Sequence, residues 1–138
     1  MSDVYTFNRA INHEAALILV ADGHTPACEP GGHAVRTGFQ MGLAPKTSPG
    51  NPRVLVMFLH THLLTDEEAE RGEESPEARE RVLAEYGQRI HREAYEMLPA
   101  WAESLNRAGW EVEVSWEGRS VRAMPPRSVI DAAGRSTT

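Results

Sequence analysis

Lysine is almost missing from this 138-residue chain: Lys46 stands alone, and arginine supplies the other thirteen cations. That bias is expected of a GC-rich bacterial genome or a mobile element within one. Cysteine is just as scarce. Cys28 has no partner in its own chain, which excludes an intramolecular disulfide framework. No apolar run approaches the ~18 residues that a membrane helix requires. The opening "MSDVYTFNRAINHE" lacks the basic stretch followed by an apolar stretch of a signal peptide, so a cytoplasmic location is expected. With a net charge of -6, a general nucleic-acid-binding surface is not expected, because wrapping a phosphate backbone needs a basic face. The glycine-rich phosphate loop, the dinucleotide fingerprint and the nucleophile elbow are also lacking.

What is present reads as a globular chain. The hydrophobic fraction is 41% and the charged fraction 25%, enough to build a core. Phe7, Ile11, Ala15, Ile18 and Leu19 recur at helical spacing, and Gly23 follows where a helix cap belongs. The run "AALILVA" fits either that helix or a short buried strand; the upstream periodicity favours helix. "HTPACEPGGH" is a loop rich in proline and glycine. Val35, Thr37, Phe39, Met41 and Leu43 then alternate as in a strand. "APKTSPGNP" turns the chain, and "RVLVMFLHTH" follows as a strand apolar on both faces, suited to cover on both sides or to an interface.

Residues 65–108 form a helical block. Ser75 followed by Pro76 is a start signal. Leu83, Tyr86, Ile90, Ala94, Met97, Trp101 and Leu105 make one apolar stripe, with Gly109 ending it. An unbroken helix from 76 to 108 would run about 50 Å, so a break near Pro99 or a partner helix is expected. In "WEVEVSWEGRSVRAM", Trp110, Val112, Val114 and Trp116 face one way. A Glu117-Gly118 turn predicts a hairpin with Val114 opposite Val121, Val112 opposite Ala123, and Glu113 opposite Arg122.

The predicted order is therefore α-β-β-α-β-β: an α+β two-layer sandwich of two β-hairpins packed with helices. One domain spans 1–124, and 125–138 is expected to be a flexible tail. "VADG" and "NRAG" end the two helices alike, which admits a duplicated unit, but the matching residues are few and coincidence is the favoured reading. Whether the hairpins share one sheet is left open.

The chemistry candidates are histidines and one thiol. His60 and His62 project from one strand face and could lean onto one metal, or could mark where an apolar face reaches solvent. His24, Cys28 and His33, spaced H-x3-C-x4-H, could add zinc donors with Asp22 or Glu29 as a base, although the spacing is no zinc signature. Asp66, Glu67, Glu68, Glu70, Glu73, Glu74, Glu77 and Glu80 form an acidic run. It is either a decoy for a nucleic-acid-binding protein or a solvated helix face. Tyr86, Ile90, Met97, Trp101, Trp110 and Trp116 are core residues or interface anchors. The leading expectation is a non-catalytic binding or adaptor protein that acts through protein contacts, self-associates as a homo-oligomer and carries no cofactor. The alternatives are a zinc-binding enzyme or regulator and an acidic decoy.

Overall fold

A computed structural model describes residues 2–28, 33–44, 47–48 and 50–136. Along the chain run α1 (Ser2–Ala21), β1 (Gly38–Leu43), β2 (Val54–Leu59), α2 (Asp66–Glu74), α3 (Pro76–Arg107), β3 (Glu111–Ser115), β4 (Ser120–Met124) and α4 (Arg127–Ser136). The four strands form one antiparallel sheet in the order β1-β2-β4-β3. The two hairpins thus share a sheet, joined where β2 pairs with β4: Val56 stands opposite Val121, and Val54 opposite Ala123.

The alternation read from sequence sets which side chains meet. Phe39, Val54, Val56, Phe58, Val121 and Ala123 point from one sheet face into the core. Against them α1 lays Phe7, Ile11, Ala15 and Leu19, four buried residues one turn apart. From α3 come Ile90, Ala94, Leu98, Trp101 and Leu105. Trp101 meets Phe39 edge-on at 6.0 Å and lies tilted against Phe58 at 6.4 Å. The ambiguous run 16–21 is helix. It belongs to the same stripe as Ile11, and burial of that stripe outweighs the β-branched content of the run.

Both halves of the chain leave their helix by the same device. Gly23 and Gly109 take φ values of +89° and +94°, a region L-residues avoid. The His24 amide reaches back to the Leu19 carbonyl, and the Trp110 amide to that of Leu105, both at 3.0 Å. These are Schellman caps, which turn the chain toward the sheet.

The second hairpin has the expected register: Val112 against Ala123, Glu113 against Arg122, Val114 against Val121. Its turn is closed by a bond from the Arg119 amide to the Trp116 carbonyl, and Arg119, not Gly118, carries the left-handed φ of +49°.

Three expectations change. First, α3 runs 32 residues through Pro99 without a break. Pro99 is exposed, so its ring and the backbone bond its missing N–H forgoes fall on the solvent side of the helix. Second, residues 127–136 of the expected tail are helical. Ala133 is buried, and Val129 and Ile130 pack on the core, where α4 lies against α1. Third, the α3 stripe does not face one core throughout. Near its start, Ala78 and Val82 are buried, while Leu83 is 49% exposed. Those two are not part of the main core cluster, which begins at Ile90. The first turns of α3 therefore stand beyond the main core, and α2 packs on this end of α3.

This arm is held by local chemistry. The Thr65 hydroxyl caps the Glu68 amide, and the Glu68 carboxylate takes the Thr65 amide at 2.9 Å, a reciprocal capping box. Both Glu68 oxygens also accept from the Arg89 guanidinium, at 3.2 and 3.3 Å.

Candidate functional site

Past Leu59 the chain leaves the sheet but keeps its alternation, so His60 and His62 continue on the face of Val54, Val56 and Phe58. The two imidazoles stack at 5.8 Å with 25° between planes. His60 also lies against Phe58 at 6.3 Å and meets the edge of the Tyr86 ring at 6.2 Å. The pair was legible in sequence; its partners, which come from α3, were not. Tyr86 and Glu93 stand two turns apart on one helix face. The Tyr86 hydroxyl donates to the His62 carbonyl at 2.8 Å, and His62 Nε2 sits 2.7 Å from Glu93 Oε2. Arg89, between them in sequence, lies 5.4 Å from the Tyr86 ring centre and carries the network on to Glu68.

His62 and Glu93 form a dyad in which the carboxylate fixes the orientation of the ring. His60 differs. Its Nδ1 is buried with no hydrogen-bond partner among the described residues. Burial first, then the His62 and Arg119 charges, push its pKa below the ordinary 6.5, against a smaller upward pull from Glu93. The fold thus disfavours a charged His60, and the stability it contributes is full above pH 6.5 and falls as pH drops below that value. His60→Phe removes the orphaned nitrogen from an otherwise aromatic setting. The variant is expected to match or exceed wild type in urea unfolding at pH 7 and to gain on it at pH 5. A loss at both values would mean that the imidazole has a partner.

The remaining sequence candidates lie elsewhere. His24 Nε2 is 2.9 Å from the Ser104 hydroxyl, satisfying a buried group on α3. Asp22 pairs with Arg107 at 2.9 Å, tying together the ends of α1 and α3. The segment around Cys28 lies along the outer edge of β1: the Phe39 amide donates to the Thr25 carbonyl, and the Ala27 amide to that of Phe39. Gly38 permits this approach, since a Cβ there would stand 2.2 Å from the Thr25 oxygen. β1 thus separates the thiol from His60 and His62, by about two strand spacings or ~10 Å. His33 is exposed, and Glu29 lies outside the described residues. Among the described residues, no three His, Cys, Asp or Glu side chains come together as metal donors. The structure joins His60 with His62 and leaves His24, Cys28 and His33 apart from them.

Of the six aromatic and aliphatic candidates for an interface, Ile90, Trp101 and Trp110 are core, at 2–3% exposure. They fill the sandwich itself and offer a partner nothing. Tyr86 and Met97 are half-buried against that core. Trp116 is 41% exposed and stacks on Tyr95 at 4.7 Å, so one of the six is at the surface.

The sheet supplies a further surface. Leu55, Met57 and Leu59 point away from the helices and are half-buried. Register places Arg122 beside Leu55 and Ser120 beside Met57, with Glu113 beyond Arg122 and Glu111 beside Met124. A shallow cavity of about 230 Å³ on this side is lined by Arg53, Glu111, Glu113, Arg122 and Met124, among others. The face thus has an apolar column on β2, cations next to it, and carboxylates on the outer strand β3.

No family, no curated protein and no solved structure matches the chain. No described helix is long and apolar enough to cross a membrane.

Proposed function

We propose that the protein is a non-catalytic binding protein that acts through protein contacts and pairs with a second copy of itself. One observation carries the reading: β2 is apolar on both faces, and the helices cover one of them. Leu55, Met57 and Leu59 keep partial exposure on a face where a sheet protein usually places polar residues. The charges around them favour a copy of the same chain. Carboxylates at Glu111 and Glu113 and guanidiniums at Arg53 and Arg122 occupy different parts of the face. Because the face carries both signs of charge, a second copy offers it both acids and arginines as partners.

The chemistry of the histidine network is consistent with this reading. The Tyr86 proton is committed to a backbone carbonyl, and His62 Nε2 to Glu93. Among the described residues, no hydroxyl or thiol is hydrogen-bonded to either imidazole, as an activated nucleophile would be. The network ties the 60–65 segment to α3, which places α2.

The test is mass in solution by light scattering after gel filtration. Wild type is expected at twice the 15.3 kDa of one chain. Leu55→Lys combined with Met57→Lys is expected at 15.3 kDa, with an unchanged circular dichroism spectrum. A monomeric wild type at tens of micromolar protein, or a double variant that stays dimeric, overturns pairing through the sheet.

A further inference from the structure

The arm formed by α2 and the start of α3 has a structure that the sandwich does not need. Its two helices enclose a groove of about 680 Å³, lined by Leu64, Ala69, Val82 and Leu83 among others, with Glu73, Glu74 and Arg79 at its rim. The floor is not closed off. Leu64 is 38% exposed and Leu83 49%, and the neighbouring Leu63 is 82% exposed. Three large aliphatic side chains thus face solvent at one end of the molecule, far more than scattered surface apolar residues require.

The charge around the groove is one-sided. Between residues 66 and 81 stand eight carboxylates and three arginines, a net of -5 out of the chain's -6. Part of this is internally used: Glu68 is held by Arg89, and Arg71 reaches Glu85 at 3.5 Å. Glu67, Glu70, Glu73, Glu74, Glu77 and Glu80 remain exposed. A second copy of the arm is a poor occupant, because the two surfaces repel. A bare polyanion is excluded for the same reason. An acidic run serving solubility alone would not need an apolar floor beside it.

We infer that the α2–α3 groove binds an amphipathic helix of a partner protein, whose apolar stripe enters between Leu64, Val82 and Leu83 and whose lysines or arginines face the glutamates. The geometry fits such a guest. α2 has nine residues, about 13 Å of helix at 1.5 Å per residue. Two to three turns of a third helix laid alongside would complete a small bundle, with anchors at i, i+3, i+4 and i+7. Apolar burial supplies the affinity, while the acidic rim selects a basic partner and speeds the encounter. The inference is independent of pairing through the sheet, which lies on the opposite side of β2 from the helices.

The experiment uses the full chain and a labelled synthetic peptide of about 15 residues, built of leucine at helical a/d/e spacing and lysine elsewhere. A scrambled peptide of the same composition and polylysine serve as controls, all read by fluorescence anisotropy. The amphipathic peptide is expected to bind at least about tenfold tighter than its scramble. Leu83→Asp is expected to remove that preference, and its exposed position leaves the fold intact. Glu73→Lys with Glu74→Lys is expected to weaken binding severalfold at low salt, with the difference shrinking at about 0.5 M salt. If the scramble and polylysine bind as well as the amphipathic peptide, or Leu83→Asp binds as wild type does, the groove is not a helix site. The acidic run is then a plain anionic surface. Leu55→Lys with Met57→Lys should leave peptide binding unchanged, so failure here and failure of pairing are read separately.

Discussion

Trp101→Ala is expected to cost about 3–5 kcal/mol of folding free energy, a large share of the roughly 5–15 kcal/mol available to a domain of this size. Trp101 is 2% exposed and sits where the layers meet, between Phe39 of β1 and Phe58 of β2. Truncation removes its transfer energy and two aromatic contacts, and it leaves a cavity in the middle of the sandwich. The helix around it cannot collapse into that space, since Leu98, Ala102 and Leu105 on either side are themselves buried against other partners. Melting should fall by on the order of 15 °C. Trp116→Ala is the comparison. Its ring is 41% exposed and stacks on Tyr95, itself 60% exposed, so the loss should be about 1 kcal/mol or less. Equal losses at the two positions in urea unfolding would contradict the placement of Trp101 at the centre of the core.

The sandwich was largely readable because its signals are periodic and local. Alternation at 35–43 and 110–124 identified the strands and fixed the second hairpin's register. Glycine after "VAD" and "NRA" ended two helices where the structure ends them. The misses share a cause: each depends on what a segment packs against. α4 has few apolar residues, behind Pro125 and Pro126, and alone would not hold a helix; contact with α1 supplies what its sequence lacks. Leu83 fits the stripe by spacing, yet the stripe turns toward α2 before the core begins, leaving that side chain in the open. Pro99 reads as a break unless its exposure is known. The candidate site divides in the same way. Two histidines on one face follow from strand period; Tyr86, Arg89 and Glu93 were visible only as part of an unremarkable helix, because nothing in the spacing shows which turn of α3 will lie beside residue 62. In the arm the Ser75-Pro76 start signal was read correctly; the capping box "TDEE" also has a local signature, and it marks Glu68 as different from its seven acidic neighbours.

That difference leads to the second large effect, which is confined to the arm. Glu68 has its pKa held down to about 2 from an ordinary 4.5. The backbone amide of Thr65 is the main cause and the Arg89 guanidinium the next, against an opposing contribution from burial. A carboxyl lowered in the folded state stabilises it fully above about pH 4.5, and the contribution is lost as pH falls from there through about 2. The arm has little else to retain it, since α2 packs chiefly on α3. Acidification from pH 5 to pH 3 is therefore expected to lower the protection factors of residues 66–74, with intrinsic exchange rates at each pH divided out, by on the order of tenfold or more, well before the amides of residues 90–105 respond. Glu68→Gln should produce the same loosening at pH 7. The amide can still accept from Thr65, but it gives Arg89 no charge. Thr65→Ala removes the other half of the box, at about 1 kcal/mol. In both variants the helix-binding groove should fail together with α2, while the mass in solution stays that of wild type, because the sheet face does not depend on the arm. Protection factors that fall equally in the arm and the core would show instead that α2 and the sandwich unfold as one unit.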